Sequence, residues 1–170
     1  MKKIIIFYLF FFLFACMTNV RIKGKPPVIK AAFAPKVAKP GTNWRVYLEV
    51  EDSDGDLEKI YVFIYQPGIG MYPPWVAKIP QKYSLKLKGY FTLFIPNNLW
   101  CSKLKIEIFF KDKAGQKTET VYFPLKVVYK KEPLLNVNSD FKKYLGRIDI
   151  NLISPLFDRY KLGTDWIWGR

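Results

Sequence analysis

The chain contains no histidine. This removes the commonest general base near neutral pH and the most frequent zinc ligand. Cysteine is scarce as well, with Cys16 and Cys101 the two present. Arginine occurs 5 times against 23 lysines, and arginine is the side chain that grips phosphate with two parallel hydrogen bonds. The five serines, Ser53, Ser84, Ser102, Ser139 and Ser154, occupy turn or boundary contexts with no G-x-S-x-G elbow. No phosphate-cradling glycine loop occurs, and no helical period runs through residues 28–130. Together these gaps point away from an enzyme.

What is present begins with "MKKIIIFYLFFFLFACMT". Lys2 and Lys3 precede an apolar run from Ile4 to Ala15. A spanning helix needs roughly 20 apolar residues, so this run has the length of a secretory h-region. "LFAC" resembles the lipobox of bacterial lipoprotein signal peptides, with Leu13 and Ala15 matching the pattern. The resemblance implies removal of residues 1–15 and a diacylglycerol and an acyl chain on Cys16, anchoring the protein to a bilayer. An ordinary signal peptide or an uncleaved anchor is the alternative. Each buried methylene of such chains contributes roughly 0.8 kcal/mol. Met17 follows the cysteine where the resemblance would place an aspartate for inner-membrane retention. The expected location is therefore exported and lipid-anchored, at the cell membrane or the outer membrane.

With Cys16 acylated, Cys101 has no disulfide partner, and in "LWCSKLKI" it reads as a small core hydrophobe. The formal charge is +14. A basic exported protein can lie against anionic lipid headgroups or other envelope polyanions, but the lysines alternate along strands or fall in turns and form no compact cluster, so solvated surface is the favoured reading. Nucleic acid is not an expected partner for an exported chain. An envelope protein is.

Residues 16–27 lack periodicity and read as a tether. Residues 28–130 alternate with a period of two. Trp44, Val46, Leu48 and Val50 share one side of a strand, opposite Arg45, Tyr47, Glu49 and Glu51. Leu104, Ile106, Ile108 and Phe110 repeat the pattern against Lys103, Lys105 and Glu107. "KYSLKLKG" and "GYFTLFIP" read as two short runs parted at Lys88-Gly89, and Pro124 predicts an edge or a bulge in the last extended segment. About seven short strands in this span predict an all-β sandwich. "WRVYLEVEDSDGDLEKIYVFI" and, later, "KIEIFFKDKAGQKTETVYF" resemble bacterial immunoglobulin-like domains of the fibronectin type III-like and PKD-like groups. The resemblance implies a spacer, stalk or binding module. The cysteine pair of antibody domains has no counterpart.

Residues 131–170 form an extension. Ser154, Pro155 and Gly163 frame a short helix, and "NSDFKKYLG" predicts a helical turn capped by Asn138 or Ser139. Trp166 and Trp168 are expected to fold back over an aromatic sheet face.

Two stretches carry candidate ligands. Asp52, Asp54 and Asp56 alternate around Gly55 in an acidic, exposed hairpin tip. An EF-hand needs glycine at position 6 and glutamate at 12, where this loop has Leu57 and Phe63. Calcium at a looser hairpin site, serving adhesion, remains open, but Asp and Gly are also what a tight turn demands, and the turn is favoured. No other cofactor is expected. The second stretch is aromatic: Tyr61, Phe63 and Tyr65 alternate with Ile60, Val62 and Ile64, and Tyr72 and Trp75 follow on a proline-stiffened loop. Those five would suit a carbohydrate or a protein. The leading expectation is a non-catalytic structural or interaction module, with a carbohydrate-binding module as runner-up.

Overall fold

The computed structural model describes residues 24–99, 102–129 and 138–152. Cys16, Cys101, the proposed helix from Ser154 to Gly163, and Trp166 and Trp168 lie outside the described residues. Within them the chain is an immunoglobulin-like β-sandwich. One sheet has the order β1 (Val28–Phe33), β3 (Thr42–Glu51), β7 (Lys86–Ile95), β10 (Tyr144–Ile148). The other runs β2 (Val37–Ala38), β9 (Val121–Val127), β8 (Lys103–Asp112), β4 (Leu57–Gln66), and both β5 (Gly70–Met71) and β6 (Trp75–Lys78) pair with β4.

The alternating pattern places the core. Trp44, Val46, Leu48 and Val50 of β3 are buried, as are Ile60, Val62 and Ile64 of β4 and Leu104, Ile106, Ile108 and Phe110 of β8. They meet in one cluster between the sheets. Trp44 crosses it to reach Phe123 edge-on, and its Nε1 donates to the Pro35 carbonyl at 2.8 Å, which satisfies the one polar atom of a buried indole. Pro124 pairs with Lys105, while β2 reaches β9 at Lys126 and Val127. The proline thus sits on an edge portion of β9 and interrupts no ladder.

Three features differ from the periodicity. Lys86–Ile95 is one continuous strand running through Gly89, where two runs were expected. Gly89 has φ +153°, and a Cβ there would lie 2.3 Å from the Lys143 carbonyl oxygen. The glycine is therefore a point of close approach, and it admits the segment that becomes β10. β10 itself pairs parallel to β7 beyond residue 130. Finally, Tyr47 is buried despite facing away from the core. Phe33 stacks on it at 5.0 Å, and Phe141, from the turn Ser139–Phe141, packs edge-on against Phe33. Asn138 caps that turn by accepting from the Asp140 N–H. The turn Ser139–Phe141 thus covers part of the outer face of the four-stranded sheet, and β10 extends that sheet beyond β7.

Candidate functional site

The acidic hairpin is a turn first. Gly55 N–H donates to the Asp52 carbonyl at 3.2 Å, Asp54 N–H donates to Asp52 Oδ1 at 3.0 Å, and Gly55 holds φ +69°. A second turn lies beside it. Gly115 N–H donates to the Asp112 carbonyl, and Gln116 N–H donates to Asp112 Oδ1 at 2.7 Å. Lys113 N–H reaches the Asp56 carbonyl at 3.0 Å and ties the two turns together.

The three aspartates do not act together. Asp54 is exposed and accepts from the Lys25 backbone N–H. Asp52 is not at an exposed tip, as expected of this loop: it is 1% exposed, because the neighbouring turn closes over it. Asp52 Oδ2 and Asp56 Oδ1 are buried without a hydrogen-bond partner. Burial raises the Asp52 carboxyl above the usual carboxylate range, and the adjoining Asp56 carboxyl and the charge of Asp112 push the same way. The Asp54 N–H opposes them. Among the described residues no ion pair reaches Asp52, Asp56 or Asp112. Among those residues, too, no group of three or more histidine, cysteine, aspartate or glutamate side chains is placed to hold a metal ion.

The aromatic residues divide between two faces. Cross-strand partners share a face. Tyr61 pairs with Val76 and Phe109, Phe63 with Glu107, and Tyr65 with Lys105 and Met71. These point outward. Trp75 pairs with Val62, so it points inward, where it meets Phe91 edge-on at 6.4 Å. Tyr72 is 5% exposed and its hydroxyl donates to Gln66 Oε1. The five candidates therefore form no single platform. Phe109, which the sequence did not single out, belongs with the outer group. Its ring stacks with Tyr61 at 4.9 Å and with Phe63 at 5.9 Å. Lys111 Nζ lies over Tyr61 at 5.3 Å and Lys117 Nζ over Phe109 at 5.8 Å. The rings thus spend their faces on one another and on ammonium groups, which leaves little for a sugar to stack upon.

Lysines gather on this same outer face, contrary to the expectation of no cluster. Lys59 pairs with Lys78 on one side and Lys111 on the other, and Lys111 bridges to Lys117. Tyr65, Met71, Val76 and Tyr122 stand exposed nearby. The opposite sheet differs. There Lys86 and Lys88 bind Glu49 at 2.9 and 3.1 Å, and these contacts hold the Glu49 carboxyl below its ordinary range.

No protein-family model matches the chain, and no curated protein does. Solved structures with a related fold include the PKD domain of an M14-like peptidase from Thermoplasmatales archaeon SCGC AB-540-F20. It is 14% identical, with a TM-score of 0.39 over 62% of this chain and 98% of that one. A Niemann-Pick type C2 protein from the Japanese carpenter ant is 12% identical, with a TM-score of 0.41 over 61% and 94%. The CARDB domain of the PF1109 protein from Pyrococcus furiosus, solved in complex with di-metal ions, is 15% identical, with a TM-score of 0.34 over 62% and 93%. These likenesses concern fold alone.

Proposed function

We propose that the protein is an exported lipoprotein, anchored through Cys16, whose sandwich serves the cell envelope as a non-catalytic interaction module. One observation carries the interaction reading: the outer face of the six-stranded sheet sets exposed apolar side chains beside a row of lysines. On the four-stranded sheet Phe141 covers Phe33 and Tyr47 and glutamate pairs with Lys86 and Lys88, while Val28, Phe94 and Tyr144 stay exposed. On the six-stranded sheet Tyr65, Met71, Val76 and Tyr122 remain 42–58% exposed among lysines. Exposed apolar side chains on one face suit a contact surface. The non-catalytic reading rests on the missing histidine and on the closure of the buried carboxylate group among the described residues, where Asp52 and Asp112 are 1% and 2% exposed.

The anchor reading rests on the basic n-region, the short apolar run and the "LFAC" sequence. Intact-mass measurement on protein extracted from its own membranes tests it. The expected species begins at Cys16 and carries the added mass of a diacylglycerol and an acyl chain, and Cys16→Ala retains residues 1–15 and no lipid. A mature chain that starts elsewhere, or a Cys16 without added mass, overturns the anchor.

A further inference from the structure

We propose that the outer face of the six-stranded sheet docks flat on an anionic bilayer, with Lys59, Lys78, Lys111 and Lys117 as its phosphate-facing row. The proposal deepens the interaction reading above by naming the partner and the surface.

The row is unusual in its register. The four lysines are successive cross-strand neighbours on β6, β4, β8 and the segment just past the 112–116 turn. Side chains in such positions stand about 4.5–5.5 Å apart at Cβ, and like charges there repel. Glu58 binds Lys59 at 3.1 Å, and stacked rings receive Lys111 and Lys117. No carboxylate is paired with Lys78, Lys111 or Lys117 among the described residues. The repulsion is thus only partly relieved within the molecule. An outside anion would relieve the rest.

Three observations favour a bilayer as the source of that anion. First, the row borders an apolar field: Val76, Tyr61 and Phe109 form the next cross-strand rank, and Tyr65, Met71 and Tyr122 follow. Tyrosine and lysine on one face suit the headgroup region, where aromatic residues settle and anionic lipids attract lysine. An acidic glycan would use the lysines but leave Met71 and Val76 without a role. Second, Glu107 is the one carboxylate among these ranks, and Lys105 holds it at 2.8 Å. Third, the chain leading from Cys16 arrives at the lysine end. Lys25 N–H donates to Asp54, and a Cβ on Gly24 would lie 3.7 Å from Gln116 Nε2, next to Lys117. The residues between Cys16 and Gly24 reach at most about 30 Å when extended. An anchored Cys16 therefore keeps this end near the membrane surface.

The test uses the full protein, extracted from its own membranes and placed in vesicles of phosphatidylcholine with or without phosphatidylglycerol. Lysine acylation is read by mass spectrometry, with the exposed Lys142, beside the turn that packs on the other sheet, as internal reference. Lys59, Lys78, Lys111 and Lys117 should label several-fold more slowly in the anionic vesicles alone, and high salt should abolish the difference. Each lysine is worth about fivefold in membrane partition. Substituting Lys59→Gln with Lys111→Gln should therefore shift the docked equilibrium roughly 25-fold and return Lys78 and Lys117 to the neutral-vesicle rate. Equal labelling in both vesicles overturns the proposal. Protection in both vesicles and in detergent also overturns it, because the chain's own tail would then cover the face. Failure to float with phosphatidylcholine vesicles removes the anchor reading alone, and flotation with phosphatidylglycerol vesicles then decides the face.

Discussion

Replacing Asp52 by asparagine should make the protein more stable at neutral pH, an unusual outcome for a buried polar residue. Asp52 is 1% exposed, its Oδ2 has no hydrogen-bond partner, and Asp56 Oδ1 beside it is in the same condition. Asparagine keeps the oxygen that accepts from the Asp54 N–H at 3.0 Å, and it offers Nδ2 as a donor to Asp56. An unsatisfied buried polar group costs about 1–3 kcal/mol, so Asp52→Asn should raise the melting temperature at pH 7 by about 3–10 °C. The pH dependence follows from the raised Asp52 pKa. The folded state holds the Asp52 proton more tightly than the unfolded chain does. Stability therefore falls as pH rises from the ordinary aspartate range through the elevated folded value, and stays lower above it. Glu49, with its pKa lowered by Lys86 and Lys88, contributes the opposite slope in acid. The informative quantity is thus the difference between wild type and variant, measured by thermal unfolding from acid to neutral pH. That difference should be largest near neutrality and shrink in acid, where Asp52 is protonated in both states. A variant less stable at pH 7, or a difference independent of pH, would refute the reasoning.

Millimolar calcium should leave the melting temperature unchanged relative to chelator, since Asp54 faces solvent and three carboxylates do not converge. A ligand at 100 times its dissociation constant would add about 2.7 kcal/mol, a rise that calorimetry detects easily. Phe141→Ala removes the ring that packs at 5.0 Å on Phe33, and it should cost about 3 kcal/mol in urea unfolding. Gly89→Ala places a methyl group 2.3 Å from the Lys143 carbonyl oxygen. It should destabilise the fold by about 2 kcal/mol and speed hydrogen exchange in β10 more than in β8.

Much of the sandwich could be read from period-two alternation, because the inner faces of β3, β4 and β8 are almost wholly aliphatic or aromatic. Pro124 and Asn138 were legible for the same reason: each has a backbone chemistry that permits few positions. The limits are equally physical. Tyr47 looked like a solvent-facing residue because its cover comes from Phe33 and Phe141, the latter 94 positions away. β10 is short, parallel and interrupted by Gly146, so it carries no alternation. Tyr72 and Trp75 flank the Pro73-Pro74 pair in a loop where parity with β4 cannot be counted, and only the pairing of Trp75 with Val62 turns it inward. The lysine row is the extreme case. Its members are spaced 19, 33 and 6 residues apart, and only the register of three strand pairings brings them side by side.

The most direct test of the interaction account is photocrosslinking in living cells, with photoreactive residues at Tyr65 and Tyr122 on the six-stranded sheet and at Tyr144 on the other. The account predicts adducts with phospholipid or an envelope protein from Tyr65 and Tyr122, at levels Tyr144 does not reach. Crosslinks confined to the chain itself at Tyr65 and Tyr122, or equal capture from Tyr144, would contradict it.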